Sequence, residues 1–187
     1  MSQPRRLLEV STKGDTTLGT QLSAFRLQKT TPGGFRTCLE AAFQGSKVFQ
    51  EGSGDGRQLS DLYWNRDGKD VKRIMRPWHD VTLKQFRFGD EVWPLEPKSA
   101  FYDWLYIRAL CEHDQSDQIR QELIEYDAFT DIEFNPARSF NCQARSCALF
   151  AALDRRSALG RTETRDEFLE LLAQHHYGRA SGSLLAV

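Results

Sequence analysis

The apolar residues of the chain recur mostly at the spacing of helices. Four segments carry them at i, i+3 and i+4, and we predict a helix in each: residues 98–113, residues 116–126, about 141–157, and the stretch after Thr164. Thr164 and Glu167 form a capping-box signature at the start of the last helix. A shorter helix over residues 70–76 is predicted to end at Pro77.

Strand signals are fewer and shorter. Residues 83–93 predict a hairpin that turns at Gly89-Asp90, with Phe86 and Phe88 on one face. Residues 11–20 predict an exposed loop, and residues 24–28 predict a short strand. Pro32-Gly33-Gly34 predicts a turn.

The sum of these elements is an α+β domain that is mainly helical and has a small antiparallel sheet. The sequence lacks the regular βαβ alternation of a parallel sheet and the glycine-rich phosphate motifs of nucleotide-binding folds. We expect one domain over residues 1–187, with its core over about 8–175 and a flexible tail over 176–187.

The composition narrows the range of functions. The net charge of −1 gives no general attraction to a polyanion, so any contact with nucleic acid must come from a local basic patch. The four cysteines form no C-x-x-C pair, and we expect buried thiols, no metal and no redox cofactor. No stretch approaches the ~20 apolar residues of a membrane span. We expect a cytoplasmic protein that does not contact the membrane.

One segment carries candidate chemistry. Glu40, Phe43, Gln44 and Lys47 fall at i, i+3, i+4 and i+7 of a helix predicted over residues 37–51, so they share one face. A carboxylate, an amide and an ammonium on a partly buried face need partners, and a ligand can supply them. Two structural alternatives stay open. Glu40 fits a T-x-x-E capping box with Thr37, and the Lys47 side chain could extend to solvent.

The run E-x-x-F-Q-x-x-K from Glu40 to Lys47 resembles the signature of the NADAR family, the YbiA-like N-glycosidases. Leu22-Ser23-Ala24-Phe25 resembles the family's L-S-N-F loop, Asp127–Asp131 resembles its D-x-x-W-G region, and Asn141-Cys142-Gln143 resembles its K-N-x-L-G segment. The resemblance covers about residues 8–155. Departures include Ala41-Ala42 where the family often has His-Tyr, and a missing Trp-Gly pair. The sequence is nearest the NADAR antitoxins that accompany DarT-type toxins.

The resemblance implies a function. DarT-type toxins attach ADP-ribose to guanine in DNA, and the NADAR partner removes it by hydrolysing an N-glycosidic bond. The implied ligand is ADP-ribose or ADP-ribosylated guanine in DNA, and the implied functional partner is a DarT-type toxin. Two alternatives stay open: an N-glycosidase acting on phosphoribosylated intermediates of the riboflavin pathway, and a non-catalytic sensor that binds NAD or ADP-ribose.

An oxocarbenium-like transition state requires carboxylates near the anomeric carbon and a proton for the departing base. Glu40, Lys47 and Asp131 are therefore the candidate catalytic residues. Lys47 could hold the diphosphate or attack the sugar as an amine, and the sequence leaves both roles open. The candidate substrate-binding residues are Phe43, Gln44, Asp127, Asn141, Ser23, Phe25 and Thr17.

Overall fold

The computed structural model describes residues 6–65, 67–137 and 139–175, and the tail expected over 176–187 lies outside them. The helices within these ranges are α1 (Thr17–Gln21), α2 (Leu39–Gly45), α3 (Gly68–Ile74), α4 (Ala100–Cys111), α5 (Ser116–Leu123), α6 (Gln143–Arg155) and α7 (Arg165–Gln174). The strands are β1 (Leu7–Glu9), β2 (Gln28–Thr30), β3 (Arg36–Cys38), β4 (Lys47–Phe49), β5 (Arg57–Gln58), β6 (Leu83–Phe88), β7 (Glu91–Trp93) and β8 (Ala128–Thr130). Short 3-10 turns occupy Ser60–Trp64, Arg76–Trp78 and Leu159–Thr162.

The strands form three small sheets. An antiparallel sheet has the order β5-β4-β6-β7, β2 and β3 form an antiparallel hairpin, and β1 pairs in parallel with β8. The predicted class, mainly helical α+β with a small antiparallel sheet, is confirmed. The parallel β1–β8 pair joins distant parts of the chain, and no local pattern indicated it.

Helix α4 lies at the centre of the molecule. Every residue from Ala100 to Ile107 is buried, so this helix has no polar face and packs on all sides. Helices α6 and α7 pack against it, together with aromatic side chains of the antiparallel sheet. Phe86 stacks on Phe101 and Phe88 meets Trp104 edge-on, which confirms that both phenylalanines of the hairpin face one side.

Several predicted elements are confirmed. The four main helices appear near their predicted positions as α4 to α7, and the Thr164 side chain accepts a hydrogen bond from the Glu167 amide at the start of α7. The hairpin of β6 and β7 turns at Gly89, whose φ of 63° is one that glycine adopts without strain. The Pro32-Gly33-Gly34 turn connects β2 and β3.

The helix predicted over residues 37–51 is wrong. The segment is strand β3, a helix α2 of only seven residues, and strand β4, so Lys47 begins a strand instead of the second turn of a helix face. Helix α2 ends at Gly45, where the Tyr63 ring occupies the space that a Cβ would need. Val48 and Phe49 then favour the extended conformation and pair with β6.

Three shorter predictions also need correction. The loop expected over 11–20 contains helix α1, which the Thr16 side chain caps by accepting from the Gly19 amide. The strand expected over 24–28 lies at Gln28–Thr30, because residues 23–27 form a turn closed by hydrogen bonds to the Ser23 carbonyl. The helix expected over 70–76 is Gly68–Ile74.

Candidate active site

The site is built around the start of α2. The Leu39 amide donates to the Leu27 carbonyl at 2.8 Å, and the Glu40 amide donates to the Ala24 carbonyl at 2.9 Å. The turn before β2 therefore satisfies N–H groups that a helix start leaves without intrahelical partners. The Glu40 side chain has no part in this capping.

The T-x-x-E capping-box alternative is therefore wrong. Cys38 occupies the N-cap position and makes no side-chain capping bond, whereas the Thr37 hydroxyl donates to the Asn65 carbonyl at 3.1 Å. Glu40 instead accepts a hydrogen bond from Gln44 one turn later, with 3.0 Å between Nε2 and Oε1. The carboxylate stays at the surface of the site, partly buried.

The side-chain oxygen of Gln44 receives no hydrogen bond from the described residues. Its Nε2 is committed to Glu40, which fixes the orientation of the amide, and its Oε1 is buried without a hydrogen-bond donor among the described residues. A buried acceptor left in this state costs about 1–3 kcal/mol. A ligand that donates a hydroxyl or N–H hydrogen there would remove this cost.

Lys47 reaches the same place although it lies on β4. Its Nζ is 5.0 Å from the centroid of the Phe43 ring, a cation–π distance. Burial lowers the pKa of Lys47, and the nearby negative charge of Glu40 partly opposes that shift. The lysine is thus held over the helix instead of extending to solvent, and the turn at Ser46 preserves the grouping that a longer helix was expected to produce.

Phe43 forms the floor under Lys47. The ring is 5% exposed and contacts Tyr102 edge-on at 5.1 Å and Phe86 at 5.4 Å between centroids. This packing fixes the position and orientation of the Phe43 ring. Its use as a stacking face for a purine stays a prediction.

Asp131 provides a second carboxylate, directly after β8. Its Oδ2 accepts from Gln143 Nε2 at 3.1 Å and its Oδ1 accepts from the Glu133 amide at 3.1 Å. Burial raises the pKa of Asp131, against the opposing effect of these hydrogen bonds. The Gln143 side chain also accepts from the Ala24 amide, so one glutamine links Asp131 to the turn that starts α2.

Tyr102 is a buried tyrosine whose pKa is raised by burial and by the charges of both carboxylates. It lies on α4, 4% exposed, and its pKa is raised well above the ordinary value, first by burial and then by the negative charges of Glu40, Asp103 and Asp131. The hydroxyl therefore stays neutral. Sequence reasoning missed both Tyr102 and Gln143. Tyr102 lies in a predicted helix and Gln143 lies in a segment that carries the family resemblance. In neither case does the local spacing distinguish the residue from its neighbours.

Two other candidates lie in the turn that starts α2. Ser23 is buried and its hydroxyl donates to the Thr20 carbonyl at 2.8 Å. The Phe25 ring lies under Lys72, with 4.5 Å between Nζ and the ring centroid. Both residues contribute to the wall of the site through the turn itself.

The remaining candidates lie further out. Asn141 precedes α6, and its amide donates to the Ser139 hydroxyl. Asp127 accepts from the Arg6 amide at 2.7 Å beside β8, and Thr17 lines a separate cavity of about 250 Å³ with side chains of α5. Within the described parts of the chain, no hydrogen bond or ion pair joins Asp127 or Thr17 to Glu40. Their roles toward a substrate stay predictions.

The described residues hold no group of His, Cys, Asp and Glu arranged to bind a metal ion, and their four cysteines are free. None of the helices in the described ranges has the length and apolarity to cross a membrane.

The comparison with curated proteins finds no match for the chain. Comparison with protein families finds one that matches residues 2–181, and its description is "DarT1-associated NADAR antitoxin". The match spans both carboxylates, α2 and the turn that starts it. The chain therefore belongs to the family of DarT1-associated NADAR antitoxins.

Proposed function

We propose that the protein is an N-glycosidase that removes ADP-ribose from guanine bases in DNA, and that it counteracts a DarT-type toxin in this way. The observation that supports this most strongly is the hydrogen-bonded pair of Glu40 and Gln44 beside Lys47, whose ammonium lies over the Phe43 ring. None of these polar groups is needed to start or end α2, and the Gln44 oxygen has no donor among the described residues.

The arrangement matches what cleavage of a ribosyl bond requires. The carboxylate of Glu40 stabilises positive charge that develops on the ribose. The unpartnered Gln44 oxygen accepts a hydrogen bond from a ribose hydroxyl. Asp131, whose pKa burial raises, acts as the acid that protonates the departing guanine.

Because burial lowers the pKa of Lys47, deprotonation to the amine that can attack a sugar costs less free energy than for an exposed lysine. In the first step the Lys47 nitrogen bonds to the anomeric carbon while the bond from that carbon to guanine breaks. Glu40 takes the proton that the lysine nitrogen loses, and guanine takes a proton from Asp131. The sugar ring then opens to an imine, and water hydrolyses this imine to return the amine and free ADP-ribose.

The test is incubation of the purified protein with an oligonucleotide that carries ADP-ribosylated guanine, scored by release of ADP-ribose. Glu40→Gln is expected to abolish release. Glu170→Gln is the matched control, because Glu170 accepts from Gln174 Nε2 at 3.1 Å in the same i, i+4 geometry on the solvent-facing side of α7. Release that survives Glu40→Gln would contradict the assignment.

Two further results separate the alternatives. Borohydride during turnover should trap a covalent protein–ADP-ribose adduct in the wild type but not in Lys47→Met, and turnover without trapping would assign Lys47 to charge stabilisation. A wild-type protein that binds ADP-ribose but releases none from the oligonucleotide would refute the proposed activity on DNA. That outcome would favour a metabolite glycosidase or a sensor.

A further inference from the structure

Asp131 is held from a strand that is distant in the sequence. Strand β1 runs parallel to β8, and the register pairs Glu9 with Thr130, the residue before Asp131. The Glu9 carboxylate accepts hydrogen bonds from the residues on both sides of Asp131, from the Thr130 hydroxyl at 2.5 Å and from the Ile132 amide at 2.9 Å. One side chain thus fixes the chain before and after the candidate acid.

The backbone of Glu9 is itself fixed by close packing of the loop that follows it. A Cβ at Gly14 would lie 2.7 Å from the carbonyl oxygen of Glu9, and a Cβ at Gly19 would lie closer still. Glycine at both positions therefore allows this loop and α1 to approach the end of β1. The next residue, Val10, donates its amide to the Thr130 carbonyl at 2.7 Å. The Glu9 side chain extends from a backbone that is held beside β8.

Several titratable groups face Asp131 from the elements around it. They are Glu9 from β1, Glu133 and Lys13 from the adjoining loops, Tyr102 from α4, Cys142 before α6 and, across Tyr102, Glu40 of α2. Burial raises the pKa of both Tyr102 and Cys142, so these two groups are neutral near neutral pH. The carboxylate of Glu133 lies 3.2 Å from the Lys13 ammonium, which offsets its charge.

The surroundings of Glu9 and Asp131 shift their two pKa values in opposite directions. Burial acts to raise the pKa of Glu9, but hydrogen bonds from Thr130, Ile132 and Ser11 lower it overall. The pKa of Asp131 is raised, chiefly by burial, and the negative charge of Glu9 adds to the rise. Two carboxylates separated in this way can divide their roles, one remaining ionised while the other holds a proton.

We propose that Glu9 is a positioning residue for the candidate acid: it holds Asp131 in place through Thr130 and Ile132 and sets the charge beside it. The negative charge of Glu9 favours the protonated form of Asp131, the form that can give its proton to guanine as the bond to ribose breaks. Glu9 itself neither gains nor loses a proton in this step. The proposal rests on the proposed function and adds a residue that acts through Asp131 without touching the substrate.

The first measurement is the pH dependence of kcat/KM for release of ADP-ribose from the modified oligonucleotide. Glutamine at position 9 retains an oxygen for the Ile132 amide and an N–H for the Thr130 hydroxyl, so Glu9→Gln removes the charge and keeps both hydrogen bonds. Its alkaline limb should move to lower pH, because Asp131 then loses its proton more readily. On that limb kcat/KM should fall about two- to ten-fold, the effect of one unit charge near a protein surface. On the acid side of the optimum the variant should match wild type.

Glu133→Gln is the matched control, because this exposed carboxylate lies on the same loop as Asp131 and is paired with Lys13. Its alkaline limb should coincide with that of wild type. Glu9→Ala removes the hydrogen bonds as well as the charge, so its kcat should fall about ten-fold or more at every pH because the acid is misplaced. An alkaline limb of Glu9→Gln that stays in place or moves to higher pH, or a wild-type kcat in Glu9→Ala, would overturn the proposal.

The second measurement needs no turnover. Heteronuclear NMR follows the titration of the Asp131 carboxyl in the free protein, identified by its loss in Asp131→Asn, and Glu9→Gln should move its midpoint to lower pH. If wild type releases ADP-ribose but the midpoint does not move, the Glu9 proposal fails and the glycosidase stands. If the midpoint moves but wild type releases no ADP-ribose from the oligonucleotide, the proposed function fails, whereas the coupling of Glu9 to Asp131 stands.

Discussion

Replacing Lys47 with methionine should separate stability from activity. The Lys47 ammonium gains a cation–π contact with Phe43, worth about 0.5–2 kcal/mol, and attraction to Glu40. Its pKa is nevertheless lowered, so burial costs the charged form more than these contacts return. Methionine has a similar length and recovers about 0.3–1.5 kcal/mol by sulfur contact with the ring. The free energy of unfolding should stay level or rise by about 1 kcal/mol, while activity falls by about 100-fold or more.

The direction of the pH dependence follows from linkage. A lysine whose pKa is lower in the folded state than in the unfolded chain binds fewer protons when folded, between those two values. Its contribution to stability is therefore fully present above the unfolded value and lost as pH falls through the folded value. Lys47→Met removes this penalty, so its advantage in melting temperature should be largest near neutral pH and should vanish as pH approaches about 10.5.

Thermal denaturation from pH 7 to pH 10, together with the ADP-ribose release assay, tests this expectation. A gain of about 1 kcal/mol corresponds to about 2–4 °C for a chain of this size. Lys84→Met is the control, because Lys84 is exposed on β6 and its ammonium donates to the Gly54 carbonyl at 3.3 Å. A fall in melting temperature at pH 7 in Lys47→Met, or a difference from wild type that does not change with pH, would refute the assignment of a penalised buried ammonium.

Three other variants test the frame of the site. Gln143→Leu removes a hydrogen bond that lowers the pKa of Asp131. The alkaline limb of the pH–activity profile should therefore move to higher pH, and a limb that does not move would exclude Asp131 as the acid. Gly45→Ala places a Cβ 2.5 Å from the Tyr63 ring and should cost about 1–3 kcal/mol in urea denaturation; a neutral result would mean the ring yields. Asp103→Ala removes a fully buried, hydrogen-bonded carboxylate and should cost about 3–5 kcal/mol by the same assay, whereas a loss below 1 kcal/mol would show that its partners rearrange.

Much of the helical frame could be predicted from the sequence, because periodic apolar residues and caps are local signals. The residues after Thr164 show this, since both the cap and the helix appear as expected. The central helix α4 was located correctly, although being buried on all sides it has no clear apolar stripe. The hairpin at Gly89 was equally local.

The candidate site was predicted only in part, because tertiary contacts decide the rest. Spacing grouped Glu40, Gln44 and Lys47 correctly but for the wrong reason. Packing of Tyr63 against Gly45 ends the helix, and pairing with β6 returns Lys47 to the same place from a strand. Propensity over a window of seven residues cannot outweigh such contacts. Gln143 acts across the fold by linking residue 24 to residue 131, and no local pattern carries that information.

Tyr102 offers a test of whether the two carboxylates act together. Tyr102→Phe keeps the ring packed against Phe43 but removes the neutral hydroxyl whose pKa the charges of Glu40 and Asp131 raise. Stability should change by less than about 1 kcal/mol, in the range of one net hydrogen bond, while release of ADP-ribose falls about ten-fold.

Tyr106→Phe is the matched control on the next turn of α4. Its hydroxyl is buried against the Leu22 carbonyl and Cys147, so its loss leaves a buried acceptor unsatisfied and should cost about 1–3 kcal/mol, with the folded protein fully active. Tyr102→Phe should therefore lower turnover with little change in stability, whereas Tyr106→Phe should lower stability with little change in turnover. If Tyr102→Phe keeps full turnover while Glu40→Gln loses it, Tyr102 only packs the core. Asp131 would then act on the substrate without this hydroxyl, and catalysis would not depend on a polar group of α4 between the two carboxylates and the core.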